Sequence, residues 1–214
     1  KYNNFIANNY QTTRPWKAGD WGIYRENQSQ ALLFYTTLPA ADEAVKNAII
    51  GKKTSAEKSS GSHYQLIESD NLYRAKAMYS NWGSNSLLAA QGNDIMDFLI
   101  YDLKPALHSD YEERAMSIVN YLHGVNPFGM TYLSNMYMYG GELSADEMWH
   151  TWFAPDTKYD NIHGDNVGPA PGFLSGGFNT QANSNSPVKI GTQSFSGKFT
   201  KNQPTQKAFT VNNH

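Results

Sequence analysis

The side chains in this sequence best suited to site chemistry gather in a few short stretches. His150 stands in Met148-Trp149-His150-Thr151-Trp152. A histidine has an unperturbed pKa of about 6.5, so it can exchange hydrogen bonds with a ligand hydroxyl or simply satisfy a loop carbonyl. Trp149 and Trp152 flank it on alternate sides, so one indole is expected in the core and the other in a cleft. Trp82 sits just before a helix pattern, among Gly83 and Ser84, where an indole can lie flat at a cleft or pack as ordinary core. The Tyr132 phenol could reach a ligand hydroxyl. Asp156, Asp160, Asn161 and Asp165 offer the hard oxygen ligands that calcium prefers, but without the spacing of a calcium-binding loop. Solvated loop carboxylates are the favoured reading there, and a calcium site is the alternative. His108, His123, His163 and His214 share no metal-ligand spacing and read as surface or helix-end residues.

Most of these residues fall within 121–179, where Gly, Pro, Asn and aromatic residues alternate in a way that neither a regular helix nor a regular strand tolerates. Long ordered loops of this kind are usually binding or active-site surfaces carried by a stiffer scaffold. Asn126, Pro127, Gly129, Tyr132 and the glycines and prolines from Gly168 to Gly177 read as architectural, because Gly supplies unusual backbone angles and Pro pre-sets turns, with a hydroxyl contact the alternative for Tyr132. The scaffold is expected on either side.

Helical text does flank the loops. In PAADEAVKNAII, Asp42 and Glu43 stand in the first turn, and Ala44, Val45, Ala48 and Ile49 make one apolar face, with Gly51 and the following KKTSAEKSSGS expected to end or fray the helix. Leu87, Leu88, Gln91, Ile95, Phe98 and Leu99 keep helical spacing up to a stop at Pro105. Ser109 and Glu112 form a capping-box pattern, Ala115, Ile118, Val119 and Leu122 share a face, and Gly124 falls where a left-handed C-terminal cap belongs. Before these helices, residues 1–24 are polar and aromatic, broken by Pro15, Gly19 and Gly22, and a short apolar run spans Ala31 to Tyr35. Residues 180–214 carry little apolar periodicity and are expected as a poorly structured tail ordered only by lying across something larger.

Composition narrows the function. The 214 residues are 40% hydrophobic, 14% aromatic and 17% charged, with net charge −2. One domain is the prior for this length. Scattered Lys and Arg leave no footprint for nucleic acid or anionic lipid, and no apolar run approaches the roughly 18 residues of a membrane span. The absence of cysteine removes disulfides, thiolate zinc sites and a cysteine nucleophile. The aromatic-rich, charge-poor balance suits a secreted, sugar-handling surface better than a cytosolic one. KYNNFIANNY lacks an initiator Met and a leader pattern, so the chain is expected to begin within a longer protein.

Four segments in order, YSNWGSNSLLAAQG, YLHGVNPFGMTYLSNMYMYG, ADEMWHTWFA and GPAPGFLSGGFN, resemble successive motifs of the family 9 glycoside hydrolases in residues and spacing. The resemblance covers Tyr73 to about Asn179, and more loosely Phe5 to Phe209. It implies an all-α fold, part of an (α/α)6 barrel with long cleft-forming loops, and an enzyme cutting internal β-1,4 bonds of cellulose or related glucans with inversion. It implies that Trp82 stacks on glucose rings and that His150 hydrogen-bonds sugar hydroxyls near the scissile bond. Many members carry His-His-Arg at the His150 motif, and this chain lacks the first His and the Arg. Trp152 and Tyr132 complete the expected substrate contacts. No cofactor is required, although members often bind calcium, here through Asp156, Asp160 and Asp165 if at all. The implied partners are a β-glucan and the remainder of the catalytic domain, with no nucleic acid and no membrane, and the implied location is extracellular.

An inverting mechanism needs two carboxyls about 6.5–9.5 Å apart on opposite faces of the sugar. In the family an early D-A-G-D motif supplies the base and a late Glu the acid. Lys17-Ala18-Gly19-Asp20-Trp21-Gly22 resembles the early motif with its first Asp replaced by Lys, but it lies too near Trp82 for the family's order. Coincidence is the favoured reading, with Asp20 as base the alternative. The late Glu is expected just after QPTQKAFTVNNH, so residues 1–214 read as the C-terminal portion of one catalytic domain, inactive in isolation. Half a barrel would expose apolar helix faces at about 25 cal/mol per Å², a severe cost for a domain stabilised by about 5–15 kcal/mol. One rival reading is a non-catalytic carbohydrate-binding or scaffold protein on the same fold. A second is a helical interaction array, for which no repeat period is found. A third is a related inverting hydrolase of xyloglucan or chitosan-like polymers.

Overall fold

Helices begin almost at once. The computed structural model describes residues 2–19, 21–22, 25–57, 73–75, 84–126, 128–141, 143–145, 156–159, 161–162 and 164–175. The chain forms two compact units, Lys1–Lys76 with Ala89–Ile118, and Ala77–Leu88 with Val119–His214. The expected tail at 180–214 lies outside the described residues.

The first unit opens with α1 (Tyr2–Asn9), a 3-10 turn (Tyr10–Thr12) and α2 (Arg14–Ala18). Pro15 starts α2, where its missing N–H costs nothing. Gly19, at φ 66, ends the helix with its N–H on the Pro15 carbonyl. The breakers therefore punctuate helices in this region. α3 (Glu26–Thr36) is longer than the apolar run Ala31 to Tyr35 suggests, and buries Ser29, Leu32, Leu33 and Tyr35. Its polar first half hides a buried face that starts at Ser29. The Tyr35 hydroxyl joins three segments, donating to Asn3 Oδ1 (2.7 Å) and accepting from Asp42 N (2.9 Å).

α4 (Glu43–Ala56) is capped by Asp42, whose Oδ1 accepts from Val45 N at 3.0 Å. Gly51 does not end it. The helix runs on because its inner face, one residue per turn, passes from Ile49 to Lys53 and Glu57, all buried. Lys53 Nζ pairs with Asp94 and, at 3.0 Å, with Asp97. It also sits over the rings of Trp21 (5.6 Å) and Phe98 (5.1 Å). Gln30 Nε2 donates to Asp97 Oδ1 (2.6 Å), and Tyr101 OH donates to Gln30 Oε1 (3.0 Å). One turn along α4, Glu57 accepts from Lys104 Nζ and Tyr111 OH. Buried charges demand such partners, and these partners fix the axial register of α4 against its neighbours.

α5 (Ser84–Ile100) and α6 (His108–Leu122) supply residues to both units. The apolar spacing of α5 is realised, with Leu87, Leu88, Gln91, Ile95 and Phe98 buried. A 3-10 turn (Pro105–Leu107) runs straight into α6, so α6 starts at His108 and Ser109 lies inside its first turn instead of capping it. The far end of α6 matches its expectation. Gly124 N donates to Tyr121 O and Val125 N to Asn120 O, the paired bonds of a Schellman cap, with Gly124 at φ 117.

In the second unit the loops are tied to a two-stranded parallel sheet of β1 (Thr131–Ser134) and β2 (Ser144–Ala145), in the register Thr131 to Ser144 and Ser134 to Ala145. Single bridges join His123 to Thr131 and Leu133 to Leu174. The loop text thus contains a short strand core that its Gly and Pro content conceals. Among the described residues, no helix is long and apolar enough to cross a membrane.

Candidate functional site

The loops of the second unit converge on β1. Thr131 N donates to Leu143 O (2.8 Å), and its hydroxyl donates to His123 O (3.2 Å). Tyr132 O accepts from both the N–H and the hydroxyl of Ser175, each at 2.8 Å. Asn85 Nδ2, in the first turn of α5, donates to Ser175 O at 3.1 Å. The backbone of Ser134 exchanges bonds with Gly172 and Phe173, and its hydroxyl donates to Ala170 O (2.6 Å) while accepting from Phe173 N (3.0 Å). Buried serines replace the regular ladder that irregular backbone lacks.

Asn126 is the keystone of the turn that enters β1. Its Nδ2 donates to Tyr121 O and Met130 O, both at 2.7 Å, and its Oδ1 accepts from Phe128 N (3.1 Å) and Met130 N (3.3 Å). All four hydrogen-bonding positions of the amide are used. The architectural expectation for Asn126 is met. The expectation for Gly168 is met as well: at φ 84, an added Cβ would lie 2.4 Å from Ile162 Cγ2.

Trp82, His150, Trp152, Trp149, Asp20 and Asp160 lie outside the described residues. Tyr132 is fully buried, its ring 5.9 Å from that of Tyr121. Burial pushes its phenol well above the usual tyrosine range, and the neighbouring Tyr121 adds to this. Asp156, in a left-handed conformation at φ 63, and Asp165 are exposed, while Asn161 Oδ1 accepts from Asn166 Nδ2 at 3.0 Å. Among the described residues no group of three or more His, Asp or Glu could hold a metal ion. The neighbours of Asp20 are core-packed: Trp21 is buried, and a Cβ on Gly22 would approach Asp94 Cβ to 2.9 Å. Ser134, Asn135, Ser144 and Ser175 were not singled out from sequence. The available signal was Asn135 itself, since Asn after a strand tolerates the left-handed conformation that re-aims the chain.

A helical scaffold carrying loops clamped by buried polar side chains is the class of protein defined so far. The family model described as glycosyl hydrolase family 9 matches residues 1–212, and the chain belongs to that family. Two solved structures are similar to it. One is a metagenome-derived glycoside hydrolase family 9 endoglucanase, at 20% identity and TM-score 0.62, covering 86% of this chain and 30% of that one. The other is a Zn-binding triple mutant of the family 9 endoglucanase J30, at 16% identity and TM-score 0.61, covering 96% of this chain and 33% of that one. The chain therefore spans about a third of the length of the structures it matches. No curated protein matches it significantly. The fold is all-α, part of an (α/α)6 barrel with long loops.

Proposed function

We propose that the protein carrying this chain is a secreted, inverting glycoside hydrolase that cuts internal β-1,4 bonds of cellulose or a related glucan. The observation that carries this reading is the family match over nearly the whole chain. Both similar structures are described as endoglucanases. In this reading Trp82 stacks on a glucose ring, and His150, with Trp152, contacts sugar hydroxyls. Tyr132 is buried, and in this reading it is architectural and makes no sugar contact.

The catalytic acid and base are assigned to the rest of the domain, with the implied calcium at most a stabiliser of the 156–165 loop.

The test is reducing-sugar release from a soluble β-1,4-glucan, with the anomer of the first product read by proton NMR. The intact catalytic domain should turn over and release the α-anomer, while the purified 214-residue chain should not. Turnover by the 214-residue chain alone would put both carboxyls within it and make Asp20 the leading base. Glucan binding without turnover by the intact domain would favour the non-catalytic reading.

A further inference from the structure

Two large side chains stand at the crown of a closed turn in the second unit. The backbone enters the turn at Asn135, φ 48, whose Nδ2 donates to Pro169 O (2.7 Å) and Val167 O (3.3 Å). Met136 N then donates to Ser144 Oγ (2.9 Å), and the Tyr137 hydroxyl donates to Ser144 O (3.2 Å). The 3-10 turn Tyr137–Tyr139 follows and closes with the paired bonds of a Schellman motif. Gly140 N donates to Tyr137 O (3.2 Å) and Gly141 N to Met136 O (3.0 Å), with Gly140 at φ 86. Gly141 is required by space, since an added Cβ would lie 2.9 Å from Met136 Cβ. The apolar contact that often accompanies such a motif cannot form here, because its outer residue is this glycine. Both ends of the turn are fixed, yet Met138 is 89% exposed and Tyr139 71%. One exposed apolar side chain is ordinary. An adjacent pair held out on a closed backbone is the arrangement of a contact surface, where Tyr and Met are enriched and a rigid ring binds at little entropic cost.

Charge selects the ligand. Residues 128–141 include no Asp, Glu, Lys, Arg or His. A nucleic acid or an anionic lipid surface would find no cation on this turn to meet its phosphates. A neutral polymer with flat C–H faces and many hydroxyls does fit, because a tyrosine presents an apolar ring face and a polar tip together. We propose that Tyr139, with Met138 beside it, is a stacking subsite for a β-glucan strand, held out by the closed turn 136–141. The subsite rests on the glucan reading for its ligand. The turn contributes preorganisation: a ring carried on fixed backbone has less freedom to lose when a sugar settles on it.

The test compares the intact catalytic domain with its Tyr139→Ala and Tyr139→Phe variants on a soluble β-1,4-glucan. In Tyr139→Ala, Kd by calorimetry and KM should both rise about three- to tenfold, while Tyr139→Phe, which keeps the ring face, should stay within about twofold of wild type. Met138 gives a second readout that needs no variant. In the free domain its thioether should oxidise with hydrogen peroxide as an exposed methionine does, and saturating glucan should slow this at least about threefold, read by peptide mass spectrometry. A Met138 that resists oxidation in the free domain lies under another part of the protein, which overturns the subsite. Equal losses in both variants would assign the contact to the hydroxyl and overturn stacking. Unchanged Kd in Tyr139→Ala, with wild type still binding and cleaving the glucan, overturns the subsite and leaves the hydrolase reading standing. A wild-type domain that neither binds nor cleaves the glucan sinks the hydrolase reading, and the proposed ligand falls with it.

Discussion

Lys53 carries its charge into the interior at 1% exposure, where an unpaired ion would cost several kcal/mol. It is tolerated because two carboxylates and two aromatic faces surround it. The balance is imperfect for Asp97. Burial raises its pKa from the ordinary 3.8, and the opposing attractions of Lys53 and Gln30 offset only part of that. A carboxyl whose folded pKa is raised binds its proton more tightly in the folded state. Its contribution to stability is therefore fully present below 3.8 and is lost as pH rises through the folded value. The expected outcome is that wild-type stability, measured relative to Asp97→Asn by urea unfolding at a series of pH values, falls as pH rises from 3.8 and then levels off. A difference that rose over that window would contradict the desolvated carboxyl described above.

At the scale of elements, α5 and α6 end in the same way with different residues. In both, the C-terminal cap pairs an N–H with the carbonyl three residues back and the next N–H with the carbonyl five residues earlier than itself. At α5 these are Asp102 N to Leu99 O and Leu103 N to Phe98 O. The positive-φ position is Asp102 at 51° in one and Gly124 at 117° in the other. Around Gly124 the nearest atoms to an added Cβ are 3.7 Å away, so space is not the constraint and backbone strain is. Gly124→Ala should therefore cost about 1–2 kcal/mol. Asp102→Gly should shift stability by less than about 0.5 kcal/mol, because relief of strain is nearly cancelled by the added entropy of the unfolded chain. Thermal midpoints of the two variants check this directly. Equal losses in both would mean that the caps are not governed by backbone conformation.

At the scale of the molecule, large apolar side chains remain uncovered on helices of the first unit: Phe5 (64% exposed), Phe34 (60%), Ile100 (66%) and Met116 (55%). Isolated exposed apolar residues are ordinary. Here they belong to a chain that spans about a third of the related structures, in a fold that closes by packing helices side by side. We expect the rest of the domain to cover them. Ile100→Lys in the intact protein should then cost more than about 2 kcal/mol by denaturant unfolding, whereas a solvent-facing site would change by less than about 0.5 kcal/mol. A near-neutral result would remove Ile100 from the covered surface.

Much of this protein is written locally. The apolar face of α5, the stretch of α6 and its Gly124 cap, and the loop character of the described residues at 135–141 and 164–173 follow from residues within a turn or two of one another, where periodicity and turn chemistry act. The order of four motifs was enough to place the chain in its family, because such motifs record loop shapes that a few Gly, Pro, Asn and aromatic residues impose. Other features were settled only by the tertiary structure. α4 continues past Gly51 because Lys53 finds partners 41 and 44 residues away, and nothing near Lys53 in sequence announces them. The buried face of α3 is masked by its polar first half. Asn135 reads as one more loop residue until Ala145, Val167 and Pro169 are seen around it. A buried charge or amide is stable only where distant segments bring it the complementary group, and that complement is a property of the folded chain.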